Sequence, residues 1–402
     1  MSESDGSVGR IPALDGLRAT SIALVVLAHL AGTRHFLALS ALSPFGDIGN
    51  LGVCVFFVIS GYLITALLLK EHARNQRIDL AAFYGRRAWR ILPAAGLYLL
   101  VVAVVVATTD GSHVSSSDWF HALTFTMNYH QERAWSVGHL WSLSVEEQFY
   151  LWWPAAMVVL GTRRSLWLAG SAIALAPVCR VCVWLLWPAA RDGIGETFPT
   201  VMDSIAVGCV LAGSENWLAA RAWYRRFLVS PLFVMMPFVV VLCNAFDHHP
   251  SFYLTFGMTA RNLGIAAILH WAIRRSSRVA SVLLDSAGLR YMGRMSYSLY
   301  LWQQPFLNRH MTALLTTFPV NIAAAVGCAL VSYTCIEAPM LRLRDRVGSM
   351  GRASASRGPR LDSSGMRPAA SLESIGRVSA EAGDSLPIGY DQAWVNSRFR
   401  SS

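Results

Sequence analysis

Apolar runs of near membrane-spanning length, separated by short arginine-bearing loops, recur from about Ala19 to Ile336. A bilayer core of about 30 Å is crossed by about 20 apolar helical residues. Inside it every backbone N–H and C=O must find a partner within the protein, which restricts a chain of such runs to packed helices. Composition agrees. Hydrophobic residues make up 54% of the 402 and charged residues only 14%, against roughly a quarter charged in ordinary soluble domains. A disordered chain, a disulfide scaffold and a typical soluble enzyme are excluded. The expected fold class is all-α, a polytopic membrane helical bundle of about ten transmembrane helices with both termini cytoplasmic.

The predicted spans are 19–39, 50–69, 91–108, 138–160, 166–187, 200–213, 227–243, 252–273, 291–307 and 311–336, the sixth short enough to be tilted, broken or longer than drawn. Orientation follows from the basic residues. One set of loops holds Arg10, Arg18, Lys70, Arg74, Arg77, Arg86, Arg87 and Arg90, and later Arg163, Arg164, Arg221, Arg225, Arg226, Arg274, Arg290, Arg294, Arg342 and Arg344. The opposite loops hold only Arg34, Arg133, Arg191 and Arg309. The first set is therefore cytoplasmic, and the number of spans even. The membrane domain is expected over 1–346 and a disordered Ser/Arg-rich cytoplasmic tail over 347–402. The N-terminus lacks the pattern of a cleavable signal.

The net charge of +10 is spread over these loops and accompanies no zinc-finger, helix-turn-helix or RNA-binding signature, so no nucleic-acid partner is expected. All seven cysteines lie in apolar stretches and read as packing residues, Cys179 and Cys182 included. The loop histidines His113, His121, His130, His248 and His249 lack a third ligand at useful spacing, so no metal is expected. No nucleophile elbow, P-loop or dinucleotide fingerprint occurs.

Charge at membrane depth is expensive and marks function by default. Arg18 and His29 are 11 residues apart, an offset of only about 20° past three full helical turns, with a rise of about 16 Å. They share one face, with Arg18 expected at the cytoplasmic boundary and His29 near the bilayer midplane. A neutral imidazole there can act as general base, or can be a core histidine satisfied by a neighbouring helix. Arg86, Arg87 and Arg90 crowd one end of another helix at i, i+3 and i+4 spacing. They anchor the membrane surface or, with Arg18, bind a phosphate-rich cytosolic cosubstrate through their guanidinium forks. Glu146 and Glu147 fall inside an aromatic-rich span. At least one should face a partner such as His29, or a structural ion pair with Arg180 or Arg261. Ser142 could hydrogen-bond a substrate. Asp203 and Arg180 could simply pair, and Glu337 could position the arginine cluster.

These residues resemble the membrane acyltransferase 3 family over roughly Arg10 to Arg344. Leu14 through Arg18 to His29 resembles its first-helix Arg–His motif, Gly52 to Ile64 its second-helix signature, Phe83 to Pro93 its arginine motif, and His139 to Tyr150 its Trp-Ser-Leu…Glu segment. Ser296 to Trp302 and Ile336 to Pro339 also match. The resemblance implies an integral-membrane O-acyltransferase in the inner (plasma) membrane, moving an acyl group, often acetyl, from acyl-coenzyme A. The acceptor would be a hydroxyl of a carbohydrate or lipid-linked glycan. Catalysis would fall to the histidine matched by His29, oriented by Glu146, and donor binding to Arg18, Arg86, Arg87 and Arg90. Ser142, Trp141, Asp203, Glu337 and Gln303 are the candidates for acceptor contact or support. The only partners expected are membrane lipid, the acyl-CoA cosubstrate and the glycan, with no tightly bound cofactor. Two departures stand out: Gln303 and Gln304 follow Tyr300-Leu301-Trp302 where the family has a histidine, and Val201-Met202 precede Asp203 where an arginine is usual. No fused extracytoplasmic esterase-like domain is expected. The rival class is a transporter using the buried His, Glu and Arg as a proton or anion pathway.

Overall fold

The computed structural model describes residues 12–109, 113–274 and 284–346, so the expected tail over 347–402 and both termini lie outside the described residues. Among these residues every regular element is helical. Helix α1 (Pro12–Leu30) leads to α2 (Ile48–Asn75) and α3 (Leu80–Thr108). Asp47 and Asp79 start the latter two, accepting hydrogen bonds from the Asn50 and Ala82 amides, each 2.9 Å, as side-chain N-caps do. A short outer helix, α4 (Ser116–Leu123), precedes α5 (Leu140–Val159), α6 (Thr162–Leu186) and α7 (Phe198–Ala220). Then come α8 (Ala222–Val229), α9 (Met236–Ala245), α10 (Met258–Arg274), α11 (Ala287–Arg294), α12 (Ser296–Phe306) and α13 (Val320–Ser332).

Eight of the described helical stretches are long and apolar enough to cross a membrane; the expected spans 138–160 and 291–307 are not among them. The first is α5, a full-length helix whose Ser142, Ser144, Glu146, Glu147 and Gln148 lower its hydropathy. Such polarity is tolerated because the helix is packed inside protein rather than against lipid. The second breaks at Met295 into the amphipathic α11 and the 11-residue α12. Boundaries shift elsewhere for local reasons. The first helix starts at Pro12 and stops at Leu30, not Leu39, because Gly32 takes a left-handed φ of 81° and ends the helix as glycine does at a C-terminus. His29 thus stands in the last turn, not half-way along. The sixth span is the 23-residue α7, longer than expected. Pro231 and Pro319 delay the starts of α9 and α13.

Small residues set the closest crossings, as in membrane bundles generally. A Cβ at Gly61 of α2 would lie 2.0 Å from the Ile205 carbonyl oxygen of α7, and one at Gly208 2.2 Å from that of Val58. Ser21 of α1 donates to the Gly52 carbonyl of α2 at 2.5 Å. The buried core runs through Ile22, Phe57, Ile64, Leu68, Tyr98, Met127 and Ile205. Leu100, Trp152, Val159, Trp167, Leu186 and Phe256 project outward, as lipid-facing side chains do. Outside the spans, Asp118 is the knot of the loop after α3. Its carboxylate accepts from the Ser115 hydroxyl at 2.8 Å and the Ala134 amide at 3.2 Å, and lies 3.3 Å from His130. Burial works against its charge, but these hydrogen bonds and His130 outweigh it and hold the carboxyl below the usual carboxylate range.

Candidate active site

Three cavities meet inside the bundle. The largest, about 600 Å³, is lined by His29, His139, Trp135, Trp141, Tyr300 and Gln304, with Asp47, Arg133, Glu196 and Arg309 on its wall. A narrow one of about 170 Å³ is lined by Arg18, Ser60, Arg87, Arg90, Ser142, Glu146 and Tyr300. The third, about 380 Å³, holds Arg18, Lys70, Arg90, Arg294, Glu337 and Arg344. The last two share Arg18, Arg90, Leu63 and Leu67, and Tyr300 alone lines both the first and the second. The basic residues of the third cavity belong to the arginine-rich loops, and Arg133 and Arg309 to the arginine-poor ones. The series therefore runs from the side of the arginine-rich loops toward that of the arginine-poor ones.

At the basic end, α1 supplies Arg18 and α3 supplies Arg87 and Arg90. Arg18 is held 3.4 Å from Asp15 one turn below it. The Arg87 guanidinium stacks 5.2 Å from the Tyr150 ring and 5.7 Å from that of Phe83, which fixes the fork on aromatic faces. Glu146 joins this cluster: it accepts from Ser60 Oγ at 2.5 Å, and Tyr150 donates to Ser60 at 3.1 Å. Glu337 lines the same end and accepts from Ser298 at 2.7 Å.

At the other end His29 meets the edge of Trp135, ring centres 5.9 Å apart, and Gln303 is beside it. Trp135 Nε1 donates to the Gln304 carbonyl at 2.7 Å. His139, near His29, is wedged edge-on against Tyr98 at 5.5 Å and tilted against Tyr300 at 5.2 Å. His29 Nδ1, both His139 ring nitrogens and Gln303 Oε1 are buried without a hydrogen-bond partner. Orphaned buried polar atoms are few in folded proteins; His29 and His139 both line the large cavity, where the polar atoms of a ligand would complete their ring nitrogens. Tyr300 divides the two ends. Its hydroxyl donates to the His139 carbonyl and accepts from Ser142 Oγ at 2.7 Å.

Of the residues expected from sequence, Arg18, Arg87, Arg90, Glu146 and Ser142 share the narrow cavity, while His29 and Trp141 line the large one. Glu146 is thus the counter-charge of the arginines, separated from His29 by the Tyr300 partition. Arg86 points elsewhere, to an exposed pair with Glu71 at 3.4 Å, and lines none of the three cavities. Asp203 is fully buried against Arg180 and accepts from Thr259 at 2.6 Å, a structural cluster apart from the cavities. The two terminal nitrogens of Arg261 are engaged by Asn244, Tyr253, Asn50 and Cys54, not by Glu146. Sequence reasoning did not single out Trp135, His139, Tyr300 or Arg309. His139 and Tyr300 sit inside quoted motifs, and Arg309 is one of the few arginines on its side of the membrane. Trp135, in a polar loop, carries no such signal.

The model of the family described as an acyltransferase domain, Acyl_transf_3, matches residues 11–337. Among curated proteins the chain is similar to YrhL of Bacillus subtilis, 31% identical over 365 residues, covering 82% of this chain and 55% of that protein. It is also similar to the peptidoglycan O-acetyltransferase OatA of Listeria monocytogenes, 27% identical over 82% of this chain and 56% of that one. The O-acetyltransferase OatA of Staphylococcus aureus is 28% identical over 82% and 57%. The chain spans a little over half the length of these relatives. No solved structure matches it. With the family model covering most of the sequence, and eight of the described helical stretches long and apolar enough to cross a membrane, the chain belongs to the acyltransferase 3 family and is a multi-pass membrane protein.

Proposed function

We propose that the protein moves an acetyl group from cytosolic acetyl-coenzyme A to a hydroxyl of a carbohydrate on the opposite face of the membrane. The observation that carries the reading is the meeting of two unlike cavities at one side chain, Tyr300. The basic end suits the donor's phosphates: Arg18, Arg90, Lys70 and Arg344 surround a space large enough for a polyanion. The narrow cavity, walled by Phe56, Leu63 and Leu67, suits a thin, largely apolar arm. The rise of about 16 Å from Arg18 to His29 is within reach of an extended pantetheine chain. The large cavity suits a sugar, with a flat indole and several hydrogen-bonding side chains. Peptidoglycan, the acceptor in the name of the Listeria relative, is a glycan of the right chemical class.

In this reading the acceptor hydroxyl attacks the thioester carbonyl as His29 removes its proton. The C–O bond forms, the C–S bond breaks, and the proton passes from the imidazolium to the leaving thiolate. Gln303, which is beside His29, would orient it in place of Glu146. Glu146 keeps the three arginines from repelling one another when no donor is bound.

Purified protein in lipid nanodiscs, given acetyl-coenzyme A labelled in the acetyl group, tests this. Slow release of free coenzyme A is expected, with the label moving to a glycan oligosaccharide when one is added. Absence of both thiol release and labelled glycan would overturn the reading.

A further inference from the structure

Four charged residues line the large cavity, and two of them, Asp47 and Arg309, are in no ion pair among the described residues. Arg133 and Glu196 pair with each other. Asp47 is engaged at the start of α2, where it accepts from the Asn50 amide. Arg309 is in no ion pair among the described residues: its Nη2 donates to the Ala28 carbonyl at 3.2 Å, its Nε is buried without a partner, and Asp47 is felt only at a distance. Its guanidinium lies 5.7 Å from the Trp135 ring centre, the same indole that meets His29 edge-on. A partly buried arginine with an idle N–H is an incomplete anion site, and here it overhangs an aromatic surface beside the candidate general base.

We infer that the acceptor is an anionic saccharide, carrying a carboxylate or phosphate that completes Arg309 while its ring rests on Trp135 and its nucleophilic hydroxyl reaches His29. The inference rests on the acetyl-transfer reading and adds the substrate's charge to it. Asp47 sets a limit on the same wall: it disfavours an anion placed on its own side, so the anionic substituent is fixed in one orientation. This gives the cavity selectivity between glycans that share the same hydroxyls.

Calorimetric binding to the nanodisc-embedded protein, with methyl glucoside, methyl glucuronide and glucose 6-phosphate as probes, decides the matter. At least one of the two anionic sugars is expected to bind tenfold or more tightly than the neutral one, and their order tells a carboxylate site from a phosphate site. Arg309→Gln is expected to bring all three within about twofold, and Arg309→Lys to retain part of the preference. Thermal melting of both variants reports whether the fold is intact. Equal binding of the three sugars, binding of none, or an unchanged preference in folded Arg309→Gln overturns the inference. Labelled-donor turnover is measured beside it: intact turnover without anion preference leaves the transferase reading standing, whereas absent turnover removes that reading whatever the sugars do.

Discussion

Replacement of His29 by alanine is expected to lower acetyl transfer by about 10²–10⁴-fold, the range of a lost general base, while the affinity for acetyl-coenzyme A stays within about twofold. The separation of the two effects follows from the geometry. His29 lines the large cavity and none of the residues that hold the arginine cluster touches it. Its ring contributes one edge contact with Trp135, so its loss enlarges a space that is already open instead of emptying a packed core. Initial rates with labelled donor, set beside equilibrium donor binding and a melting curve, check all three statements. A variant that folds, binds donor and turns over normally would remove His29 from the chemistry.

Donor affinity should instead depend on Arg90. It lines both basic cavities, and a hydrogen bond to a charged group contributes about 1.5–3 kcal/mol, so Arg90→Ala should raise the donor KM by about 10- to 100-fold with little change in kcat. That split is the signature of binding shared by ground and transition states. The effect should shrink as salt is raised, because screening weakens the attraction of the remaining cations for the phosphates. Arg86→Ala, four residues earlier on α3, should change the KM by less than about twofold. Arg86 forms an exposed pair with Glu71, and such pairs contribute about 0–1 kcal/mol. If the two variants raised the KM alike, the donor would not occupy the cavity that Arg90 lines.

The sequence made the class of fold plain because a bilayer permits so few alternatives. Where reading failed, local backbone chemistry overrode hydropathy. The apolar run Phe36-Leu37-Ala38-Leu39 looks like continued helix, but Gly32 turns the chain before it. Periodicity placed Arg18 and His29 on one face, and each lines a cavity, Arg18 the narrow one and His29 the large one. It could not say which carboxylate meets which cation. Glu146 and His29 come from different motifs; their separation depends on Tyr300, which comes from a helix more than 150 residues after Glu146. Arg86 and Arg90 share a spacing argument, yet Glu71 from the preceding helix draws one of them away. Trp135 stayed invisible because a tryptophan in a polar loop carries no signal until its neighbours are known.

The account turns on donor and acceptor entering from opposite faces and meeting at Tyr300. Unilamellar vesicles carrying the protein in one orientation, with labelled acetyl-coenzyme A confined to the side of the arginine-rich loops and glycan oligosaccharide to the other, put that directly to the test. The account predicts labelled glycan on the far side from donor that never crosses the lipid, and none when the two compartments are exchanged. Labelling only when donor and glycan share one compartment would contradict it.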